Sequence, residues 1–334
     1  MAALSETRSI LVIRRDNIGD LVCTTPLLSA LRSHFPRARV EVLANSYNAP
    51  VLDGNPDIDQ VHVYRKLKHL GDDGGAIAAI GARIGLLWRL RRRAFDVVIV
   101  AAGVQDSRAA RLAKFLAPRM TVLAERSIPG QHEVERTFSA ARALGVESPI
   151  PPLRVLADAT ALRVARDAIA RANRDTACKL VGLHISARRA TQRWPAERFA
   201  ELSIALHERH RATVVLFWSP GGADHAQHPG DDEKAATIQT LVAGKVLLVP
   251  RPTAGLHELI GGLAACDVVV CSDGGAMHIA AGLGKPIACF FGDSDVDRWR
   301  PWGVRHIVLS GSSRKVENVP MQTAYDAAAT LLAS

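Results

Sequence analysis

Residues 9–22, SILVIRRDNIGDLV, join a short apolar run to a polar loop and then to a second apolar segment. The run at 9–13 is aliphatic and largely β-branched, which predicts a strand buried on both faces. Apolar residues at helical spacing follow over residues 21–34. A buried strand that passes through a loop into a helix is the repeating unit of a parallel α/β sheet.

The same unit recurs along the chain. In the first half, strands are predicted at 40–43, 61–64 and 97–101, with helices at 76–93 and 107–116. We interpret the proline-rich segment ESPIPPLRVLAD, residues 147–158, as a linker. After it, strands are predicted at 180–184, 213–218, 246–249, 268–271 and 287–291, and helices at 195–210, 232–242, 255–265 and 276–283. The sequence therefore predicts an α/β fold with two Rossmann-like, doubly wound domains, residues 1–150 and 159–334, facing a cleft.

The composition is that of an ordinary globular protein, with 48% hydrophobic and 22% charged residues among 334. The five cysteines are scattered and odd in number, so small buried thiols are expected rather than a disulfide framework. Glu6 precedes the first apolar run and Arg14 ends it, which is unlike a secretory signal. No apolar stretch approaches the ~20 residues of a transmembrane helix, so we expect a cytoplasmic protein.

Positive charge is concentrated in the first half of the chain. The formal net charge is +9, of which residues 1–155 carry +7 and residues 156–334 carry +2. An acidic partner is therefore expected for the first half: an anionic saccharide, a membrane surface or a nucleic acid. Aromatic residues make up only 5%, and the chain has no RNA- or DNA-binding motif, so no nucleic-acid partner is expected.

The loop after the first strand, RRDNIGD at 14–20, lies where the carboxyl ends of parallel strands meet. It has neither the GxGxxG spacing of a dinucleotide site nor the GxxxxGK(S/T) spacing of a P-loop. Gly19 permits a tight turn, and Asp20 then has two interpretations. It caps the helix that follows, or it acts at the sheet edge as a base for a sugar hydroxyl.

A second loop, SDGGAMH at 272–278, follows the strand at 268–271 and opens a helix. Backbone N–H groups and the helix dipole at such a site favour a phosphate, and Gly274 and Gly275 let a diphosphate approach the backbone. His278, in the first helical turn, can donate to the same anion. A glycine-rich turn beside a buried core histidine explains these residues equally well, and both interpretations stay open.

A third loop, at residues 184–195, also leads from a strand into a helix. Its hydroxyl and guanidinium groups can donate to the same diphosphate; they belong to Ser186, Arg188, Arg189 and Arg193. The alternative is a solvated basic loop. A fourth loop carries Asp293 and Asp295, but two carboxylates without further ligands are weak evidence, and no metal site is expected.

The helix predicted at 76–93 is amphipathic and basic. Its apolar stripe comprises Ile77, Ile80, Ile84, Leu87 and Trp88. Off that stripe lie arginines at 83, 89, 91, 92 and 93, and before the helix come Lys66, Lys68 and His69. Such a helix can lie on an anionic membrane, or its stripe can pack on the sheet beside solvated arginines. We expect the stripe to pack on the sheet and the arginines to contact an acidic acceptor or a membrane.

Three segments carry a family resemblance. They are residues 10–64, which begin ILVIRRDNIGDLVCTTPLL; residues 183–202, LHISARRATQRWPAERFAEL; and residues 271–303, which begin CSDGGAMHIAAGLGKPIACFFGD. Together they resemble glycosyltransferase family 9, the ADP-heptose:lipopolysaccharide heptosyltransferases. The resemblance implies the GT-B fold, an ADP-heptose donor on the second domain and a lipid-linked acidic core saccharide as acceptor on the first. It also implies inversion at the anomeric carbon and no metal or other cofactor.

The resemblance also assigns residues. Asp20 matches the family's acidic residue that looks like the catalytic base, and the donor-binding turn is matched by Asp273, Gly274, Gly275, Ala276 and His278. Gly274 stands where many members have Thr or Ser, and Gln192 where many have Lys. Phosphate binding is therefore expected to shift to Arg188, Arg189 or Arg193. Acceptor binding is expected from Arg15, Asn17, Arg89 and Arg92.

Four other functions stay open at this point. A transferase of the same fold can use another nucleotide sugar, and an epimerase acting on a free UDP-sugar would need no basic acceptor domain. A non-catalytic sugar-nucleotide binding protein would share the donor loops, although the pair Gly19-Asp20 argues against it. A membrane-docking module would bind lipid surfaces without affinity for a nucleotide sugar.

Overall fold

The computed structural model describes residues 7–64, 75–103, 106–173, 178–222 and 230–333, with the backbone alone for residues 75–80. The chain divides into two compact units, Met1–Arg154 and Val155–Ser334. Each unit is built around its own sheet, and every strand pair in both sheets is parallel within the described part of the chain.

The first unit has five strands in the order β3-β2-β1-β4-β5. In chain order its elements are β1 Ser9–Ile13, α1 Ile18–Val22, α2 Thr25–His34, β2 Arg39–Asn45, β3 Gln60–Tyr64, α3 Gly75–Arg92, β4 Val97–Val100, α4 Ser107–Leu116, β5 Met120–Leu123 and α5 Glu133–Arg142. A short 3₁₀ helix, Ala49–Leu52, lies between β2 and β3.

Strand β1 is the centre of this sheet because its apolar residues leave no face for solvent. Residues 10–13 are fully buried, and Val12 lies in register with Val42 of β2 and with Ile99 of β4. Parallel pairing on both sides brings the carboxyl ends of the strands to one edge of the sheet. The loop after Ile13 therefore opens at that edge.

The single helix predicted at residues 21–34 is wrong, because two helices, α1 and α2, occupy this region. Pro26 lies in the first turn of α2 and has no N–H with which to continue a helix from Val22. The hydroxyl of Thr25 donates to the Val22 carbonyl at 2.7 Å instead. Helix α1 also begins earlier than predicted, at Ile18, so the loop after β1 is shorter.

The second unit has six strands in the order β11-β10-β9-β6-β7-β8. In chain order its elements are α6 Ala159–Ala172, β6 Leu180–His184, α7 Ala196–His210, β7 Thr213–Trp218, α8 Asp232–Val242, β8 Leu248–Pro252, α9 Leu256–Ala265, β9 Val268–Ser272, α10 Gly275–Gly282, β10 Ile287–Phe291, α11 Val296–Trp299, β11 His306–Ser310 and α12 Met321–Leu332. Short 3₁₀ helices include Ala190–Gln192, which precedes α7.

Aromatic packing closes the core of the second unit. The ring of Trp194 lies 4.8 Å from that of Phe199 on α7 and 4.7 Å from that of Phe290 on β10. The indole N–H of Trp194 donates to the carbonyl of Val319 at 2.9 Å, so this buried polar atom is satisfied. The end of the third loop is thereby fixed to both the sheet and the segment before α12.

Six elements have the bounds that the sequence predicts: β1, β6, β7, β10, α4 and α8. The other predicted elements after α2 differ by one to three residues at their ends. The edge strands β5 and β11 were not predicted, because neither presents a continuous buried run. Helices α5, α6, α11 and α12 were not predicted either.

The predicted linker, residues 147–158, is described throughout and contains no helix or strand. The N–H of Arg154 donates to Thr25 Oγ1 at 3.0 Å within the first unit. The N–H of Val155 donates to the Gly282 carbonyl at 2.9 Å within the second. The division of the chain thus falls inside the predicted linker, at the peptide bond where the backbone changes its hydrogen-bonding partners.

The expectation for the apolar stripe of α3 is confirmed for Leu87, which is half-buried against the core, and is wrong for Ile84 and Trp88. Leu86 and Leu90 pack in the core with Phe95 and Val98, whereas Ile84 and Trp88 are each 52% exposed. The phase of the helix turns the Leu86–Leu90 side inward, and Trp88 instead contacts Phe115 of α4. The side chains of Ile77 and Ile80, and residues Lys66, Lys68 and His69, lie outside the described part. Among the helices described, none is both long and apolar enough to cross a membrane.

Four cysteines are buried as expected, and Cys178 is half-buried. All five are free thiols. Cys271 of β9 and Cys289 of β10 lie in register on neighbouring strands. Burial raises the pKa of Cys266 to about 12 and raises the pKa values of Cys271 and Cys289 well above the ordinary value, so these thiols stay protonated.

Two helical glycines should respond in opposite directions to alanine. A Cβ at Gly261 on α9 would lie 2.6 Å from the backbone of Ala161 on α6, whereas one at Gly81 on α3 would meet no described residue within 4 Å. We expect Gly261→Ala to lower the free energy of unfolding by about 1–3 kcal/mol through overpacking. Gly81→Ala should raise it by up to about 1 kcal/mol through helix propensity. Urea unfolding measures both, and a stabilised Gly261→Ala variant would contradict the close packing of α6 on α9.

Candidate active site

A buried arginine organises the loop after β1. Arg14 is 1% exposed, and its Nη1 donates to the carbonyl of Ala101 at 2.8 Å. Its Nη2 donates to Asp20 Oδ1 at 2.5 Å and to Glu133 Oε1 at 2.7 Å, and its Nε lies 3.1 Å from Asp16 Oδ2. Three carboxylates thus surround one guanidinium.

Asp20 occupies the third position of α1 and not its N-cap, which is Asn17. Its Oδ2 accepts from the Asn17 N–H at 3.2 Å and from Asn17 Nδ2 at 2.9 Å, so it completes a capping box. The side chain remains 12% exposed at the edge of the sheet. One carboxylate therefore holds the helix start and still presents a partly accessible oxygen.

Glu133 and Arg136 on α5 complete the charged cluster, and neither was identified from the sequence. Glu133 accepts from Arg136 Nη2 at 2.5 Å and from Arg136 Nε at 2.9 Å, in addition to Arg14. Arg136 also donates to the carbonyl of Ala101 at 3.0 Å, next to Arg14. The signal in the sequence is the three-residue spacing of Glu133 and Arg136, which places both on the buried side of α5 beside Val134 and Phe138.

The electrostatics of this cluster follow from burial and pairing. Burial alone would raise the pKa of Glu133, but the hydrogen bond from Arg136 and the charges of Arg14 and Arg136 lower it to about 2. Burial alone would lower the pKa of Arg14, yet the charges of Asp20, Glu133 and Asp16 raise it above the ordinary value. Burial raises the pKa of Asp16. The cluster is therefore held ionised around Arg14 and Glu133.

The predicted acceptor residues fall in two places. Arg15 follows the end of β1, where its Nη2 lies 3.5 Å from Asp106 and its guanidinium lies over the Tyr64 ring at 5.6 Å. Asn17 is exposed beside Asp20. Arg89 and Arg92 are exposed on the C-terminal half of α3.

A cavity of about 410 Å³ lies in the first unit. Four arginines line it: Arg15, Arg83 of α3, and Arg108 and Arg111 of α4. The remaining lining residues are apolar or aromatic: Leu43, Tyr64, Leu86, Leu87, Leu112 and Phe115. Arg89 and Arg92 are not among the described residues that line it. Basic side chains that are far apart in the sequence are thus brought together around Arg15.

The glycine turn before α10 presents an open backbone. Gly274 is the N-cap of α10 and Gly275 its first residue, and a Cβ at Gly274 would meet nothing within 4 Å. An unobstructed helix N-terminus attracts anions through its free N–H groups. Ala276 is buried in the first turn, directly after the two glycines.

His278 and Asp273 flank this turn. His278 is 3% exposed, begins the second turn of α10, and stacks edge-on against Trp299 with ring centres 5.9 Å apart. Asp273 is partly exposed, and burial raises its pKa although a hydrogen bond from Ser294 opposes the shift. The histidine thus lies deeper in the unit than the turn that precedes it.

The third loop lies against the same turn. Gln192 Nε2 donates to Asp273 Oδ2 at 3.0 Å and to Ser294 Oγ at 2.8 Å, and its carbonyl accepts from Ser272 Oγ at 2.7 Å. The side-chain amide of Gln192 therefore links the third loop to the glycine turn before α10. The loops at 184–195 and 272–278 are brought together, as their positions after neighbouring strands β6 and β9 require.

The polar and basic side chains of the third loop differ in exposure and in how far the protein itself engages them. Arg188 is exposed, and Arg189 is half-exposed with its Nη1 3.3 Å from Asp293. Ser186 Oγ accepts from the Ser219 N–H at 2.9 Å. Arg193 donates to the Ala187 carbonyl and lies 3.2 Å from Asp231. Ser186 and Arg193 thus support the loop, and Arg188 and Arg189 point to solvent.

Two residues near Arg193 were not singled out from the sequence. Arg193 Nη2 and Asp231 Oδ2 are buried polar atoms without a hydrogen-bond partner among the described residues. Lys234 of α8 donates to the Ile185 carbonyl at 3.0 Å, and burial lowers its pKa to about 8. Polar atoms that are buried without a protein partner take one from a bound water, an ion or a ligand. The sequence signal is the charged start of α8, GDDEK at 230–234.

The two carboxylates of the fourth loop are engaged by the protein. Asp293 accepts from Thr191 Oγ1 at 3.0 Å and from Arg189, and Asp295 caps α11 through the Arg298 N–H. The hydrogen bond from Thr191 lowers the pKa of Asp293 despite partial desolvation. Both side chains therefore have structural roles in organising this edge of the second sheet.

Comparison with known proteins places the chain among glycosyl-transferring enzymes. The model of glycosyltransferase family 9 (heptosyltransferase) matches residues 83–329. Lipopolysaccharide heptosyltransferase 3 of Escherichia coli K12 is 26% identical over 312 residues, covering 85% of this chain and 82% of that protein.

Solved structures agree in fold. A glycosyl transferase family 9 protein from Veillonella parvula aligns with a TM-score of 0.80 at 20% identity, over 98% of this chain and 97% of the other. A heptosyltransferase of E. coli solved with ADP gives a TM-score of 0.73 at 18% identity, over 95% and 98%. The fold is therefore GT-B, with two Rossmann-like domains.

Glu133→Gln should destabilise the protein strongly. It removes the one carboxylate that both Arg14 and Arg136 share, and leaving buried cations underpaired typically costs about 3–5 kcal/mol. Urea unfolding at pH 7 measures the loss. Glu135→Gln is the matched control, because Glu135 lies on the same helix, is exposed, and accepts only from the His132 N–H. Equal losses in the two variants would contradict the role of the cluster.

The same cluster predicts a pH dependence. The folded-state pKa of Glu133 is about 2, below the ordinary 4.5, so its stabilisation is present above about pH 4.5 and is lost as the pH falls towards 2. Unfolding free energies measured between pH 6 and pH 3 should decline less steeply for Glu133→Gln than for the unaltered chain. Parallel declines would mean that other carboxylates dominate acid unfolding.

Proposed function

This chain belongs to glycosyltransferase family 9, and we propose that it transfers heptose from ADP-heptose to an acidic lipopolysaccharide core acceptor. The proposal includes inversion of the anomeric carbon in a single displacement and no requirement for a metal. The observation that carries it is the open glycine turn before α10, tied by Gln192 to the basic loop before α7. Its relatives include lipopolysaccharide heptosyltransferases, and one structural neighbour was solved with ADP.

The donor is assigned to the second unit. The diphosphate would lie at the N-terminus of α10 and accept hydrogen bonds from the backbone N–H groups of Gly275 and Ala276. Gly274, the N-cap, has no described neighbour near its Cβ position, so the phosphate can approach the backbone there. Arg188 and Arg189 supply further positive charge from the third loop. Cationic groups and oriented N–H groups stabilise the charge that develops on a leaving nucleoside diphosphate, which is the task a metal performs elsewhere.

Deep-lying groups would hold the rest of the nucleotide. The unpaired Arg193 Nη2 and Asp231 Oδ2 offer one donor and one acceptor, the combination that recognises a ribose hydroxyl or a base edge. His278 supports the turn from beneath through its contact with Trp299. The base and the sugar of the donor stay proposals, because Gly274 and Gln192 replace the Thr or Ser and the Lys of many family members.

Asp20 is proposed as the catalytic base. It would remove the proton of the acceptor hydroxyl as the oxygen attacks the anomeric carbon of the donor. Arg14 holds one of its oxygens, and Asn17 holds the other at the start of α1. The cluster behind Arg14 orients this carboxylate and keeps it from rotating.

The acceptor is assigned to the first unit. Its excess of positive charge matches the carboxylates and phosphates of an acidic core saccharide. Arg15 and Asn17 belong to the loop that leads to Asp20, and the exposed Arg89 and Arg92 lie on α3. Because the acceptor is lipid-linked, the enzyme would work in the cytoplasm in peripheral contact with the inner membrane.

Nucleotide binding tests the donor. Calorimetry in EDTA with ADP, UDP and GDP should show ADP binding, since the leaving group is proposed to be ADP and no metal is proposed. Preference for UDP or GDP would replace the heptose donor by another nucleotide sugar. Binding to none of the three would favour a non-catalytic or membrane-docking protein.

Position 274 offers a matched pair of variants. Gly274→Thr and Gly274→Val have the same shape, and both fit because a Cβ meets nothing within 4 Å. The hydroxyl of the Thr variant should add one hydrogen bond to phosphate, about 0.5–1.5 kcal/mol, so it should bind ADP about 2–10 times more tightly than the Val variant. Equal affinities would argue that phosphate does not approach this residue.

Asp20→Asn should abolish transfer without weakening donor binding. Loss of a general base lowers kcat by about 10²–10⁴-fold. The assay is ADP release from ADP-heptose with a delipidated core saccharide, alongside ADP calorimetry and thermal unfolding. Asp16→Asn is the control, because Asp16 also pairs with Arg14. If activity fell with Asp16→Asn and survived Asp20→Asn, the base would be Asp16.

A further inference from the structure

The cavity in the first unit has an apolar wall. Leu86 and Leu87 of α3 face Leu112 and Phe115 of α4 across it, and Leu43 of β2 contributes from the sheet. Leu43, Leu86 and Leu112 are buried, so this wall is continuous with the core. Its volume, about 410 Å³, is within the range of small-molecule sites. A wall of leucine side chains offers no hydrogen bonds to a sugar and suits a hydrocarbon chain.

The same cavity carries an excess of positive charge. Arg15, Arg83, Arg108 and Arg111 line it, and no described carboxylate is among its lining residues. The side chain of Arg15 is 11% exposed, and its Nε is buried without a hydrogen-bond partner among the described residues. The nearest counter-charge, Asp106, lies 3.5 Å from Nη2 of Arg15 and also caps α4. A buried donor without an acceptor indicates a place for an anion.

The surface beside the cavity is apolar and aromatic. Trp88 and Ile84 are each 52% exposed, and Trp88 stacks edge-on against Phe115, which lines the cavity. The guanidinium of Arg91 lies 5.1 Å above the Phe115 ring. Exposed Trp and Phe beside arginine are the composition of a surface that lies in the headgroup layer of a bilayer.

We propose that this cavity binds one acyl chain of a phosphate-bearing lipid, with the chain along the leucine wall and the phosphate against the arginines. Trp88 and Ile84 then lie in the interface from which the lipid enters. The identification of that lipid with the anchor of the acceptor rests on the proposed function, whereas lipid binding itself does not. The cavity should therefore bind a molecule that joins an alkyl chain to an anionic group more tightly than it binds either group alone.

Calorimetry with dodecyl phosphate below its critical micelle concentration tests the site on the full-length protein. Butyl phosphate, inorganic phosphate and dodecyl maltoside separate the contributions of chain and charge. We expect dodecyl phosphate to bind at least about tenfold more tightly than butyl phosphate, which lacks most of the buried methylene groups. It should also bind at least about tenfold more tightly than dodecyl maltoside, which lacks the charge that arginines recognise.

Three variants locate the binding. Leu87→Trp fills the cavity from a half-buried position, and Arg83→Gln with Arg108→Gln removes two of the cavity's cations; each change should weaken dodecyl phosphate binding by at least about tenfold. Arg37→Gln is the matched control, because Arg37 is an exposed arginine of the first unit that precedes β2 and lies outside the lining; it should change affinity less than about twofold. Thermal unfolding confirms that all three fold.

Unchanged binding in Leu87→Trp, or equal binding of dodecyl phosphate and dodecyl maltoside, would overturn the proposal. The assay contains no donor and no transfer step, so its result is separate from that of the activity assay. A protein that transfers heptose to a delipidated saccharide but does not bind dodecyl phosphate would retain the proposed function and lose this site. A protein that binds dodecyl phosphate through Arg83 and Leu87 but transfers nothing would retain the site.

Discussion

A buried guanidinium has to be neutralised, and the first unit is arranged around that requirement at Arg14. Leaving such a charge unpaired inside a protein costs several kcal/mol. The chain meets the need by bringing Asp20 from α1 and Glu133 from α5 to the end of β1, while Arg136 balances the second carboxylate. The position of α5 and the orientation of Asp20 are therefore consequences of the same charge. The carboxylate proposed as the base is therefore held both by a buried residue of its own domain, Arg14, and by Asn17 at the helix start.

The candidate site of the second unit depends on a helix N-terminus and a basic loop, and not on a buried ion cluster. This site offers the N-terminus of α10, where a Cβ at Gly274 would meet nothing within 4 Å among the described residues. The arginines of the third loop differ in role. Arg193 donates to the Ala187 carbonyl and so stabilises the loop, whereas Arg188 is exposed and can contact a ligand. The carboxylate proposed as the base is thus fixed by Arg14 and Asn17, whereas the proposed leaving-group site is the N-terminus of α10 with its open glycine turn.

Much of this arrangement was predictable from the sequence where local patterns decide the outcome. The strands β1, β7 and β10 are continuous apolar runs, and both candidate loops follow such strands, so their convergence at sheet edges follows from parallel pairing alone. Helix α5 was missed because its buried side carries Glu133 and Arg136, which resemble surface residues until Arg14 is known to face them. The phase of α3 was misjudged for a related reason: Trp88 and Ile84 continue an apolar stripe by spacing, but only packing against α4 shows which side is covered. In both helices, the side that is buried depends on residues far away in the sequence and not on local propensity.

The distribution of the cysteines has a practical consequence for following the two domains separately. Cys23 is buried in the first unit, whereas Cys266, Cys271 and Cys289 are buried in the second. A protonated thiol in a closed core reacts with an alkylating reagent only when its surroundings open, so the rate of labelling reports the frequency of that opening. Mass spectrometry of the labelled peptides would therefore measure the local opening of each domain in the unmodified chain, without an introduced probe. A nucleotide that binds the second unit should slow the labelling of Cys266, Cys271 and Cys289 and leave that of Cys23 unchanged.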